Sequence, residues 1–473
     1  MKKIEIAIID NGINDKLLRN HFIKEIFVDE DNRCKMDNTK IENFDFQHGT
    51  ICALILEKNY PDCRLNSIRI LNKEGEGEID KIEPALEWCY ENNVQLINLS
   101  LGTTHFRENE RLNVIINKYT SKGLIIVAAT SNAGFCTYPA MFTNVIGVAT
   151  IGNPLQYCKD FVHLGIDTVV PSVHKIKLDA KVHKTSLSNS YAAPYVSALV
   201  AKKMIEDENC GIHTLKKYVR EKSYVDIGDG IYNPDWVYKA YIKNIINDSK
   251  ADYYFETVTG NYENIEHEVD TVIVCSKTEL EQINLGNKNL IYLGNDDIEN
   301  MHISGFKWSW YTRVRQIVSN QYRGNGLDIP LIILDIADSL DKYFILSKIR
   351  QEFEKDGYNA YAISMEPECI LYRFEYIPDI YMPLTNQLVT DFIEGQIYYK
   401  QSDLVLWNVA REKKMDIYNL YPDCDMEIIF DEVEVLVYIE RKLIYKKIYS
   451  NLTEEFFRAI CGMAVNYLTE EET

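Results

Sequence analysis

Three short windows carry residue types that do nucleophilic chemistry together. Ile8-Ile9-Asp10-Asn11-Gly12 puts a carboxylate at the end of an apolar run. Gln47-His48-Gly49-Thr50 puts an imidazole before the apolar stretch Ile51–Leu56. Ser188-Asn189-Ser190-Tyr191-Ala192-Ala193-Pro194 puts a hydroxyl at the head of a run of small residues. A serine hydroxyl is a weak nucleophile until a base takes its proton, and that base needs an orienting carboxylate. Asp10, His48 and Ser190 supply the three roles, in the chain order Asp, His, Ser.

The elements that must hold these side chains follow from periodicity. Ile4–Ile9 reads as a strand ending in a turn at Asp10–Gly12. The residues from Gly49 to Leu56 read as a buried helix that begins beside His48. Val94–Leu99 and Leu124–Ala129 read as further strands. Tyr191–Met204 is apolar all round, which predicts a buried helix opening at Ser190. Alternating strands and helices predict an α/β fold with a mainly parallel sheet flanked by helices. A last amphipathic helix around Asp235–Ile246 closes this reading, so a first domain is expected over 1–246 and a linker at Asn247–Lys250.

The first half resembles the subtilisin-like serine peptidases, the subtilases. Beyond the three windows, Ile97-Asn98-Leu99-Ser100-Leu101-Gly102 looks like that family's substrate-binding strand. Gly123–Gly134, with Thr130-Ser131-Asn132, looks like the strand and loop that carry its oxyanion-hole asparagine. Tyr138-Pro139-Ala140 and Val145–Ala149 continue the match in order. The resemblance implies that Asp10 orients His48 and that His48 takes the Ser190 proton. It implies that Asn132 and the Ser190 N–H hold the oxyanion, and that Ser100, Leu101 and Gly102 pair with an extended peptide. Four positions depart from the family pattern. Ser188-Asn189 stand where Gly-Thr is usual, Tyr195 where His is usual, and Ser131 where Gly is usual. The family often holds structural calcium; the sequence places no calcium site, no other metal site, and no cofactor needed for the chemistry. Its secreted members carry an N-terminal prodomain, and with the expected aspartate at residue 10 none is expected here.

Composition bounds the rest. The 473 residues carry a net charge of -20, a poor surface for phosphate, so nucleic acid is not an expected partner. The acidity is uneven: residues 1–246 hold 30 Lys and Arg against 31 Asp and Glu, whereas 247–473 hold 21 against 40. That shift predicts two units with different surfaces. No apolar run is long enough for a membrane span. The 11 cysteines are scattered without metal-ligand spacing, which suits a reducing compartment and a cytoplasmic protein.

The second half, 251–473, also alternates strand and helix patterns and predicts an acidic α/β accessory domain, Rossmann-like or P-loop-like, divisible near 251–325 and 326–473. Strands are expected at Thr271–Cys275, Leu290–Leu293, Pro330–Ile336, Tyr358–Ile363 and Asp403–Trp407, and a helix near Asp341–Lys355. The turn at Asp338–Lys342 has a P-loop's position without its glycines. Ile329 to about Asn408 weakly resembles proteins of clostridial peptide-maturation systems. Arg313, Arg315 and Arg323 form a basic island that suits either an acidic leader peptide or internal ion pairs. Trp308, Trp310, Tyr311 and the aromatics of Tyr372–Tyr381 suit either a peptide groove or a core. The combined expectation is a serine endopeptidase that removes a leader from a ribosomally made peptide, with the acidic half restricting access. A general intracellular peptidase for unfolded protein, and a catalytically silent peptide-binding subunit of the same fold, are the alternatives. The oligomeric state is not legible.

Overall fold

The computed structural model describes residues 3–470 apart from 20–23, 38–46, 153–160, 162, 179–180, 229, 231, 245–248, 380–383, 410–413 and 423. Part of the expected linker lies outside these residues. The chain divides into two compact units, Met1–Tyr238 and Lys239–Thr473.

Among the described residues the main sheet of the first unit has eight strands: β1 (Glu5–Asp10), β2 (Lys24–Val28), β3 (Cys34–Met36), β4 (Arg64–Arg69), β5 (Leu96–Leu99), β6 (Ile125–Ala129), β7 (Val145–Thr150) and β8 (Ile166–Val170). They run in the order β3-β2-β4-β1-β5-β6-β7-β8. Every pairing is parallel except β2 with the edge strand β3. Five helices join them: α1 (His48–Asn59), α2 (Ile82–Glu91), α3 (Phe106–Thr120), α4 (Asn189–Glu206) and α5 (Ile212–Glu221). Side chains alternate across a strand, and β1 shows the consequence. Ile6 and Ile8 join a core with α1, α4 and α5, while Ala7 and Ile9 join a second core with α2 and α3. A sheet covered on both faces explains why its central strands read as unbroken apolar runs.

The expected helix at Asp235–Ile246 is corrected. The carbonyls of Asp235, Trp236 and Val237 accept hydrogen bonds from the side chains of Asn113, Asn117 and Asn144, so they are not spent on a helical ladder. Lys239–Ile242 is instead a strand of the second unit, parallel to Thr271–Val274.

Among the described residues that second unit holds two sheets. One has five parallel strands: Glu256–Thr257, Lys239–Ile242, Thr271–Val274, Asn289–Tyr292 and Lys307–Ser309, in that spatial order. The other has seven strands between Leu331 and Ile448, five parallel and a final antiparallel pair of partners, Glu434–Ile439 and Lys442–Ile448. The helix at Lys342–Lys355 is capped by Asp341, whose carboxylate accepts from the Phe344 N–H at 3.0 Å. Lys342 is ion-paired with Glu366. Arg313, Arg315 and Arg323 pair with Glu375, Glu299 and Asp391 at 2.8, 3.4 and 3.5 Å. The island is thus an internal ion-pair set. Trp308, Tyr372 and Tyr376 are buried, so most of the aromatic stretch is core.

Candidate active site

Asp10 ends β1 and His48 opens α1. His48 Nδ1 lies 2.8 Å from Asp10 Oδ2, and Asp10 Oδ1 accepts from the Asn11 N–H at 2.8 Å. Helix N-termini leave backbone N–H groups without helical partners. Gln47 gives α1 no side-chain cap, so Asn11 Oδ1 accepts from the Gly49 N–H across the chain at 3.0 Å. A Cβ on Gly49 would lie 2.6 Å from the Gly12 carbonyl oxygen. The small residue after His48 is what lets the Asp10 turn approach the helix this closely. Burial opposes a charge on His48, but the hydrogen bond and the charge of Asp10 together outweigh it, so the imidazole pKa is raised above its ordinary value.

Ser190 sits in the first turn of α4, which shares a core with α1. The Tyr191 ring stands 5.3 Å from the His48 ring. Pro194 lies inside α4, and a proline has no N–H to give the carbonyl four residues back. That carbonyl belongs to Ser190. It is satisfied from outside the helix, by the Ser100 hydroxyl at 2.9 Å and the Cys52 thiol at 3.8 Å. Ser100 Oγ in turn accepts from Asn98 Nδ2 at 3.0 Å, and Asn98 Oδ1 accepts from the Ser197 hydroxyl at 3.0 Å. Missed in the sequence was that Ser100 and Cys52 support the turn that carries Ser190; the signal was present in the Ser190-to-Pro194 spacing. Among the described residues no hydrogen bond joins Ser190 to His48. Such bonds are often long before substrate binds.

Ser188 and Asn189 have clear structural parts. Ser188 is extended, at φ -158° and ψ 141°, a conformation open to any residue, so its replacement of a glycine strains nothing. Asn189 is fully buried. Its Nδ2 donates to the Thr130 and Ser131 carbonyls, each at 3.0 Å, and its Oδ1 accepts from the Thr150 N–H at 2.8 Å. The head of α4 is thereby tied to the ends of β6 and β7. Asn132 is exposed and follows β6. Its Oδ1 accepts from the Asn189 N–H at 2.9 Å, and its Nδ2 donates to Ser188 Oγ at 3.4 Å.

Leu101 and Gly102 extend β5 past its last ladder residue. Among the described residues neither has a backbone hydrogen bond, so their N–H and C=O groups stand open to an added strand. A Cβ on Gly102 would meet Thr137 Cγ2 at 2.7 Å and the Tyr138 carbonyl at 2.9 Å.

The sequence pattern of the subtilase family matches residues 1–233. Residues 1–233 are a subtilase domain. Subtilisin Savinase from Lederbergia lenta is 30% identical over 145 residues, covering 30% of this chain and 53% of that protein. The minor extracellular protease Epr of Bacillus subtilis strain 168 is 26% identical over 246 residues, covering 48% of this chain and 36% of that one. The thermophilic serine proteinase of Bacillus sp. strain AK1 is 29% identical over 259 residues, covering 46% of this chain and 60% of that one. The chain spans only about a third to a half of the length of the first relatives it matches.

Calcium is the ion that the subtilase resemblance implies. Calcium takes several oxygen ligands. Among the described residues one group of three could hold an ion, Asp10, His48 and Cys52, whose ligand atoms lie within 4.8 Å of one another. One oxygen, one nitrogen and one sulfur do not suit a hard cation, so calcium does not fit there. Also among the described residues, no helix is long and apolar enough to cross a membrane.

Proposed function

We propose that the chain is a cytoplasmic serine endopeptidase acting on extended peptide. The observation that carries this is the 2.8 Å contact of the buried Asp10 carboxylate with His48, whose helix packs against the one that carries Ser190. His48 takes the proton from Ser190 Oγ as that oxygen bonds to the substrate carbonyl carbon. The carbonyl electron pair moves to its oxygen, which accepts hydrogen bonds from Asn132 Nδ2 and the Ser190 N–H. Collapse breaks the C–N bond, and the amine leaves with the proton from His48. Water repeats the sequence on the acyl-enzyme, releasing the acid and restoring Ser190. The open backbone of Leu101 and Gly102 supports recognition of unfolded segments by strand addition.

Within this class we favour leader removal from a ribosomally made peptide, supported by the resemblance of the Ile329–Asn408 region. The test is competition between a precursor with its leader and an unrelated unfolded protein such as reduced casein. A leader-directed enzyme cuts the precursor at one bond and leaves casein nearly intact. Equal digestion of both favours the general peptidase. One observation favours a silent binding subunit: among the described residues no hydrogen bond joins Ser190 to His48. A protein that binds the precursor without cutting it would establish that reading.

A further inference from the structure

Two N–H groups converge on one oxygen of this chain. The Ser190 N–H and Asn132 Nδ2 both donate to Ser188 Oγ, at 3.3 and 3.4 Å. These are the same two donors that the proposed reaction turns onto the substrate's tetrahedral oxygen. We propose that Ser188 Oγ is a resting placeholder for that oxyanion, which the substrate must displace; this rests on the reading of Ser190 as nucleophile.

The surroundings fix the donors and leave the hydroxyl movable. Asn132 cannot turn its amide over, because its Oδ1 holds the Asn189 N–H at 2.9 Å. The Ser190 N–H is set by α4, a helix of 18 residues whose N-terminal end favours negative charge. The Ser188 backbone is held by its own N–H on Ser172 Oγ at 3.2 Å. Only rotation about the Ser188 Cα–Cβ bond is then needed to clear the position, and staggered alternatives are available. Both bonds to Ser188, at 3.3 and 3.4 Å, are longer than usual for N–H donors and therefore weak. An oxyanion makes charge-assisted bonds about twice as strong, so the exchange runs toward substrate. A glycine at this position offers no such competitor. Ser188 is thus a positioning residue: it keeps two donors aimed at one point in the empty site and slows their transfer to substrate.

The test is the second-order rate of fluorophosphonate labelling of the full chain, read by intact mass. In that reaction the Ser190 Oγ–P bond forms, the P–F bond breaks and the proton passes to His48. Ser188→Ala should label about three- to tenfold faster, as expected for removing weak competing hydrogen bonds. Peptide turnover should rise in kcat with KM little changed. In an Asn132→Ala background the gain should shrink, since only one donor remains to be released. Ser188→Gly repeats the test with less loss of helix capping, should the alanine variant fold poorly. An unchanged or slower rate in folded variants overturns the proposal, and a slower rate would mark the hydroxyl as a third donor to the oxyanion. Labelling of wild type but not Ser190→Ala, with no gain in Ser188→Ala, overturns this proposal alone. No adduct on wild type overturns the nucleophile reading and this proposal with it.

Discussion

His48 Nδ1 stands 2.8 Å from Asp10 Oδ2, and the carboxylate is 1% exposed against 30% for the imidazole. In the proposed reaction this pair sets the acid limb of activity. His48 must be neutral to take a proton, and Asp10 holds its pKa above the ordinary imidazole value. Activity should therefore fall as pH drops through that raised pKa, at a higher pH than for an unpaired histidine. Asp10→Asn removes the charge that raises it. The acid limb of kcat/KM should move to lower pH while the plateau falls by on the order of 10⁴. A full pH profile of both proteins checks this; an unmoved acid limb would show that another group sets it.

Ser100 is expected to act on α4 rather than on substrate through its side chain. Its hydroxyl serves the Ser190 carbonyl that Pro194 cannot. Ser100→Ala should destabilise the domain by about 1–2 kcal/mol. In a Pro194→Ala background the restored N–H can serve that carbonyl, so the same substitution should cost less. Urea denaturation of the four proteins measures the coupling, and strict additivity would refute the assignment.

Gly102 has no room for a side chain, with Thr137 and Tyr138 within 2.9 Å of a built Cβ. Gly102→Ala should displace the strand proposed to pair with substrate. The expected signature is a KM raised about tenfold or more for peptides. Labelling of Ser190 by a small fluorophosphonate should change little. Equal loss of both would place the effect at the nucleophile instead.

Glu25 gives a stability signature. Burial raises its pKa to about 7, although it accepts the Ile13 N–H. A carboxyl with a folded pKa above its unfolded value loses stability as pH rises between the two, here from about 4.5 to about 7. Glu25→Gln should raise the midpoint of thermal unfolding at pH 8 by several degrees, with little change at pH 4. A gain of the same size at both values would rule out ionisation as the cause.

Much of the first unit is legible in the sequence because its central elements are local and strongly patterned. The run Ile4–Ile9, the His48 helix and the small residues after Ser190 each declare their element and their end. What escapes is set by pairing across long separations. Asp235–Tyr238 looks helical in isolation, and only the asparagines of α3 and of Asn144 show its carbonyls to be engaged elsewhere. Lys239–Ile242 becomes a strand through Thr271–Ile273, some thirty residues on. The Ser188-Asn189 departure is visible at once, but its consequence depends on Asn132, 56 and 57 residues away. Arg313 reads as available until Glu375 is found beside it.

The most direct test of the account is labelling of the full chain and of Ser190→Ala with a fluorophosphonate, read by intact mass. Loss of the nucleophile should cost on the order of 10⁶ in rate. A single adduct is expected on the wild type and none on the variant. A folded wild type that takes no adduct, or a variant that labels equally well, would contradict it.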